Sequence, residues 1–261
     1  YFIVETSHDS SFNTNHKIFF PDKFMFVSDW QIQQYKNIDI PKILVEYPIE
    51  YQERLHREKT LIELGLDPSK KHILHVGLFT PRKNQAEFFE YAKSLPEYQF
   101  HCLGNQAGNF EYYWKPLMGD KPDNIVWWNE RTDVERFYGC MDLFLFTSRG
   151  SDNDKETMPL VIREAISHQI PQLLYNLPVY LNYFDKFDSI DYLNYDDLDS
   201  NIDLIRSTLN KDGINPSEEA YVVCTYPVSD AITQTTKECI ESLKKDGRKI
   251  IISAHTPVPK E

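Results

Sequence analysis

Short apolar segments alternate with segments of helical periodicity along the 261-residue chain, and this alternation limits the fold more than any other feature. Regular β-α alternation with continuous apolar strands is typical of a parallel sheet covered by helices on both faces. The sequence therefore predicts an α/β, Rossmann-like fold. Strand-like segments lie at 1–7, 42–48, 72–79, 98–104, 124–129, 141–148, 170–176, 220–227 and 249–255, with a strand running into a helix at 22–36. Helix-like segments lie at 49–66, 84–96, 111–119, 133–140, 159–168 and 233–247, with an acidic and then helical stretch at 189–213.

Charge and cysteine content narrow the possible functions. The chain has 40 acidic and 28 basic residues, so it lacks the basic surplus that general nucleic-acid binding requires. No apolar run approaches the roughly 18 residues of a membrane span, so we expect no transmembrane segment. The cysteines form no CxxC pair, which favours free thiols in a reducing compartment and predicts a cytoplasmic protein. The four are Cys102, Cys140, Cys224 and Cys239.

Two glutamates follow the predicted strand at 141–148, at the strand end where ligands of parallel sheets bind. Glu156 and Glu164 flank seven residues, and Pro159 suits the first turn of a helix. Glu156 would then lie in the loop and Glu164 about 1.4 turns into the helix. Free N–H groups at a helix start attract phosphate, and carboxylates on either side can accept hydrogen bonds from sugar hydroxyls. These N–H groups belong to Thr157, Met158 and Leu160. Taken alone, the spacing also fits an ordinary helix with a capping acid and a solvated glutamate.

Two further candidates follow other predicted strands. Arg82 and Lys83 come just after the strand at 72–79, where two cations can bind a diphosphate, Arg through a bidentate fork and Lys as a compact charge. The same pair also fits two solvated surface residues. His8 comes just after the strand at 1–7, where it can serve as a hydrogen-bond donor or an acid-base group, or can be purely structural.

In combination, these segments resemble the family-4-type retaining glycosyltransferases of the GT-B fold over about residues 1–210. ETMPLVIREAISHQIPQLLYN is similar to that family's E-x7-E motif with the helix and strand that follow it. ILHVGLFTPRKN is similar to the family's phosphate-binding strand and loop. DKFMFVSDWQIQQY resembles the segment just downstream of the acceptor-domain histidine.

The resemblance implies roles for the candidate residues. Glu164 would hold the ribose hydroxyls of a nucleotide sugar, and Glu156 the hydroxyls of the transferred sugar. Arg82 and Lys83 would hold the diphosphate, and His8 would lie near the reacting centre. These residues would bind the donor together with the helix start at Thr157, Met158, Pro159 and Leu160.

Three other positions bear on the resemblance. Ser148 would lie in the loop that leads to Glu156. Leu78 stands where many family members have Arg directly after the strand glycine. Thr157 stands where the family usually has glycine, which adds a side chain close to the sugar.

The end of the chain resembles a different family. Residues 220–257 are similar to the opening β-α-β unit of a GT-A, family-2-type glycosyltransferase, and they also fit a simple β-α-β extension. We therefore expect three parts. Residues 1–50 would form the last portion of a truncated acceptor-side domain, and residues 51–213 the donor-binding Rossmann-like domain. Residues 214–261 would form a linker and the start of a second transferase-like domain.

The resemblance thus implies a retaining glycosyltransferase of the hexosyltransferase class, and we expect it to be metal-independent. It would use a nucleoside-diphosphate sugar as substrate and no cofactor, and would act on a glycan, a lipid-linked glycan or a protein in polysaccharide or related biosynthesis. We expect the 261 residues, as a fragment, to bind donor without transferring sugar. Two alternatives remain at this point, a GT-B-type nucleotide-sugar epimerase and a non-catalytic module that binds nucleotide sugar.

Overall fold

The structure is a computed structural model that describes residues 2–7, 17–45, 49, 52, 55–149, 156–180, 183–185 and 187–211, together with the backbone of strands at 219–224 and 249–254. The described residues form three separate parallel sheets, of three, six and two strands. In their part of the chain, no helix combines the length and the apolar character needed to cross a membrane.

The strands of the six-stranded sheet are β4 (His72–Val76), β5 (Gln99–Leu103), β6 (Ile125–Trp127), β7 (Leu143–Phe146), β8 (Gln172–Tyr175) and β9 (Ile190–Leu193). Their order in the sheet is β6-β5-β4-β7-β8-β9, and every neighbouring pair is parallel. The strand order reverses between β4 and β7, which are neighbours in the sheet. In doubly wound sheets, ligands bind at the carboxyl ends of the strands at such a reversal. We therefore expect a ligand to bind at the loops after β4 and β7.

Helices cover the six-stranded sheet. All four residues of β7 and of β8 are buried, as expected for strands with both faces covered. Helices α3 and α7 pack on each other, and α5 packs on α6. The helices are α2 (Arg57–Glu63), α3 (Gln85–Ser94), α4 (Glu111–Gly119), α5 (Val134–Tyr138), α6 (Leu160–Ser167) and α7 (Leu198–Asn210).

The amino-terminal sheet is small and has the order β1 (Val4–Ser7), β2 (Lys23–Phe26) and β3 (Lys42–Leu44). Helix α1 (Asp29–Gln34) follows β2 directly, and the Ser28 side chain caps it by accepting a hydrogen bond from the Gln31 N–H. The two-stranded sheet pairs β10 (Glu219–Cys224) with β11 (Lys249–Ala254) in parallel, as a β-α-β unit requires. The helix predicted at 233–247 lies outside the described residues.

The alternation predicted from the sequence is confirmed, but two segments differ from the prediction. Helix α2 begins only at Arg57, after His56 as the N-cap, and ends at Glu63, whereas the sequence predicted a helix over 49–66. Strand β9, at the edge of the sheet, was not predicted within residues 189–213. Only the first and last of its four residues are buried, so the strand shows neither a continuous buried run nor a regular alternation.

Candidate active site

The loop after β4 turns sharply beside the end of β5. Residues Pro81–Lys83 form a 3₁₀ turn that the Thr80 side chain caps by accepting a hydrogen bond from the Lys83 N–H. Asn84 ends the turn in the left-handed region, with φ of 54°. A Cβ atom at Gly104 would lie 1.9 Å from the carbonyl oxygen of Gly77, so only glycine permits this close approach of the two strand ends.

The cations of this turn meet the first glutamate of the sequence motif. Lys83 Nζ lies 2.5 Å and Arg82 Nη1 lies 2.6 Å from Oε1 of Glu156. The Ser148 hydroxyl lies 2.8 Å from the same oxygen. Glu156 is only 5% exposed, so this contact between the loop after β4 and the loop after β7 is largely shielded from water. The structure therefore brings together Arg82, Lys83, Ser148 and Glu156, here called the Glu156 cluster.

The charge state of Glu156 follows from its neighbours. Burial is the largest effect on its carboxyl group and raises the pKa, whereas the nearby charges of Lys83 and Arg82 lower it. Hydrogen bonds from Lys83 and Ser148 act in the same direction, so the net effect is a pKa below the usual range. Two cations and one carboxylate give the cluster a net charge of +1. Such a charge attracts an anionic ligand.

The two oxygens of Glu156 are not equivalent. Oε1 receives all three donors of the cluster, whereas Oε2 accepts no hydrogen bond from the part of the chain that the structure describes. A carboxylate oxygen has more than one acceptor site. Glu156 can therefore keep its contacts to the turn and accept a further hydrogen bond from a ligand.

Side chains on β4 and just after β7 contact the backbone carbonyl groups of the cationic turn. The Thr147 hydroxyl lies 2.9 Å from the carbonyl oxygen of Asn84 and 3.2 Å from that of Lys83. Nε2 of His75 lies 3.2 Å from the Lys83 carbonyl oxygen. His75 is fully buried on β4, and burial lowers its pKa to about 4, so the ring is neutral. The sequence analysis missed Thr147 and His75, although Thr147 directly precedes Ser148.

Helix α6 begins one residue later than the sequence predicted. Pro159 is the N-cap, with φ of −68° and ψ of 126°, and the first helical residue is Leu160. The prediction that Pro159 lies in the first turn is therefore corrected by one position, a typical uncertainty of helix ends. Met158 is buried in the main core, so only its backbone is available to a ligand. Leu160 is half exposed at the helix start.

Glu164 lies apart from the cluster. It is the fifth residue of α6 and is exposed, and no hydrogen bond or ion pair between the described atoms joins its carboxylate to Arg82, Lys83 or Glu156. Burial, and then the charge of Glu164, raise the pKa of the buried Tyr138 hydroxyl.

His8 lies outside the described residues. The described residues contain no group of three or more His, Cys, Asp or Glu placed to hold a metal ion, and metal independence stays a prediction.

Known proteins resemble this chain in sequence and in fold. A family described as glycosyl transferases group 1 matches residues 56–207, more than half of the chain. The processive diacylglycerol alpha-glucosyltransferase of Acholeplasma laidlawii is 23% identical over 187 residues, which is 70% of this chain and 54% of that protein. The chain thus spans about half the length of this curated relative.

Solved structures share the fold at low sequence identity. HepE of Anabaena, in complex with UDP and glucose, superposes with a TM-score of 0.67 at 13% identity and covers 80% of this chain and 62% of its own. WaaG, a glycosyltransferase involved in lipopolysaccharide biosynthesis, superposes with a TM-score of 0.57 at 20% identity. The superposition covers 71% of this chain and 53% of WaaG. These superpositions confirm the α/β, GT-B-type fold. The match over residues 56–207 shows that the chain belongs to the group 1 glycosyl transferase family.

Proposed function

We propose that the protein transfers a sugar from a nucleoside-diphosphate sugar to an acceptor. The observation that carries this proposal is the convergence of Arg82, Lys83 and Ser148 on one oxygen of the buried Glu156. This convergence lies beside the start of α6 and at the strand-order reversal of the sheet. Cations and helix N–H groups there suit a diphosphate, and the second oxygen of Glu156 suits a sugar hydroxyl.

The chemistry is the departure of a nucleoside diphosphate from the anomeric carbon of the sugar. Negative charge builds on the leaving phosphate, and Arg82, Lys83 and the N–H groups around Pro159 stabilise it. Glu156 orients the sugar, and Glu164 holds the ribose farther along α6. The incoming acceptor attacks on the face that the phosphate leaves, and the phosphate takes the acceptor's proton. The anomeric configuration is then retained, and neither a protein nucleophile nor a metal ion is needed.

The finer assignments are also proposals. We assign the chain to the family-4-type enzymes, with His8 near the reacting centre and a UDP-linked hexose as the first donor to test. The UDP and glucose complex of HepE and the diacylglycerol glucosyltransferase relative support this choice. The acceptor is a glycan, a lipid-linked glycan or a protein. The free, buried thiols of Cys102 and Cys140 fit a reducing, cytoplasmic setting.

We also propose that the chain is organised in three parts. Residues 51–213 form the donor-binding unit, which contains the six-stranded sheet and its helices. Residues 1–50 contribute to the acceptor side. The parallel pairing of β10 with β11 supports the assignment of residues 214–261 as a linker and the opening β-α-β unit of a GT-A-type domain.

The test is to incubate UDP-glucose, with a mixture of glycan and glycolipid acceptors, with the longest form of the protein that its gene encodes. Proton NMR should show a new glycosidic signal with the donor's anomeric configuration, in the presence of a chelator as well as in its absence. A new sugar epimer without acceptor would indicate an epimerase instead. Donor binding without any consumption would indicate a non-catalytic module.

A further inference from the structure

A second charged network lies next to the Glu156 cluster and is centred on Glu87, in the first turn of α3. The Glu87 side chain is only 13% exposed. Its Oε2 accepts hydrogen bonds from Asn84 Nδ2 at 2.5 Å and from Arg149 Nε at 2.8 Å. Its Oε1 accepts from the hydroxyls of Tyr91, at 2.9 Å, and Tyr175, and from Arg149 Nη2 at 3.1 Å. One carboxylate thus receives five donors from four side chains.

Arg149 connects this carboxylate to two further parts of the molecule. Its guanidinium group donates bidentate hydrogen bonds to the carboxylate of Glu87. It also donates a hydrogen bond to Oδ1 of Asp196, which follows β9, at 3.0 Å. The group also lies 4.8 Å from the ring centroid of Tyr175, at the end of β8. An arginine fork fixes both distance and orientation, which a lysine ammonium does not. Arg149 therefore ties together the carboxyl ends of β7, β8 and β9.

Two residues of the network are sequence neighbours of residues in the Glu156 cluster. Asn84 directly follows Lys83, and Arg149 directly follows Ser148. Arg82 lines a cavity of about 860 Å³ together with Asn84, Glu87 and Arg149. Because one carboxylate holds both Asn84 and Arg149, it fixes the separation between the cationic turn and the loop that leads to Glu156.

We infer that Glu87 and Arg149 are positioning residues that set the spacing of the diphosphate site before a ligand arrives. This inference rests on the proposed function, because it assigns the Glu156 cluster to diphosphate binding. Neither residue needs to touch the ligand. Their effect is to hold Lys83 and Ser148 at a fixed separation, so that binding does not have to order two loops.

The experiment compares three variants by calorimetric titration with UDP at a temperature where each is folded. Glu87→Gln removes the charge that holds Arg149, and Arg149→Lys keeps the charge but loses the fork. The matched control is Glu97→Gln, which removes an exposed ion pair to Arg206 of α7 at 3.3 Å. We expect Glu87→Gln to weaken UDP binding by about tenfold or more, as for the loss of an outer-shell partner of a binding site. Arg149→Lys should weaken it less, and the control should bind as wild type does.

A purely structural role predicts a different pattern. Glu87→Gln and Arg149→Lys would then lower the melting temperature while the folded proteins bound UDP with wild-type affinity, and that result would overturn the inference. If Glu87→Gln does not fold, the Arg149→Lys titration decides in the same way. Failure of the wild-type protein to bind UDP would count against the proposed function itself, so the two failures are distinguishable.

Discussion

Glu156→Gln should destabilise the protein, because it leaves two cations in a shielded site without their carboxylate. Removing one partner of a buried ion pair costs about 3–5 kcal/mol. The side chains of Lys83 and Arg82 are 12% and 26% exposed, so we place the cost at about 3 kcal/mol, the lower end of that range. For a domain of this size, such a loss lowers the melting temperature by about 6–12 °C.

The assay is thermal unfolding followed by circular dichroism, with two comparison variants. Adding Lys83→Met to Glu156→Gln removes one of the two positive charges that face the lost carboxylate, so the double variant should melt above the single one. Glu111→Gln removes a highly exposed pair with Lys115 and should change stability by less than about 0.5 kcal/mol. A Glu156→Gln protein that melts like wild type, or a double variant that melts lower still, would refute the reasoning.

Three other outcomes are expected. Burial lowers the pKa of His75 to about 4 and that of His101 to about 3, so between these values and about 6.5 the unfolded chain binds more protons than the folded one. The free energy of unfolding in urea should therefore fall from pH 7 to pH 5, and a level or rising value contradicts this. Gly104→Ala should cost about 3 kcal/mol in the same assay, because its Cβ would meet a backbone oxygen that cannot move freely; wild-type stability would be the contrary result. Glu164→Ala should weaken binding of UDP but not of inorganic diphosphate, since its proposed partner is the ribose; equal effects on both ligands by calorimetry would count against that role.

The sequence was sufficient to predict the succession of buried strands along the chain and to place Arg82, Lys83, Ser148 and Glu156 in loops that follow two of them. Each of those residues lies in a loop that follows a strand with a strong apolar pattern, and in a parallel sheet all such loops lie at one edge. Lys83 and Glu156 are 73 positions apart, yet this argument places them together. Their direct contact depends on the pairing of β4 with β7, which no local pattern encodes.

The same limit explains what the sequence analysis missed. Glu87 looks like a surface residue of a helix until the fold brings Arg149 and Tyr175 to it from 62 and 88 positions away. Strand β9 is short, lies at an edge and has two middle residues that are not buried, so periodicity did not reveal it. Interactions that depend on strand order, and strands with one exposed side, thus need the three-dimensional structure.

The central claim is that Lys83 and its neighbours bind the diphosphate of a nucleotide. The most direct measurement is a calorimetric titration of UDP into the wild-type protein, Lys83→Met and Lys93→Met. Lys93 lies at the far end of α3 and pairs with the exposed carboxylates of Glu90 and Asp120. Loss of one charged hydrogen bond corresponds to roughly 10–100-fold in affinity. We expect that loss for Lys83→Met and none for Lys93→Met, whereas equal affinity of wild type and Lys83→Met would contradict the account.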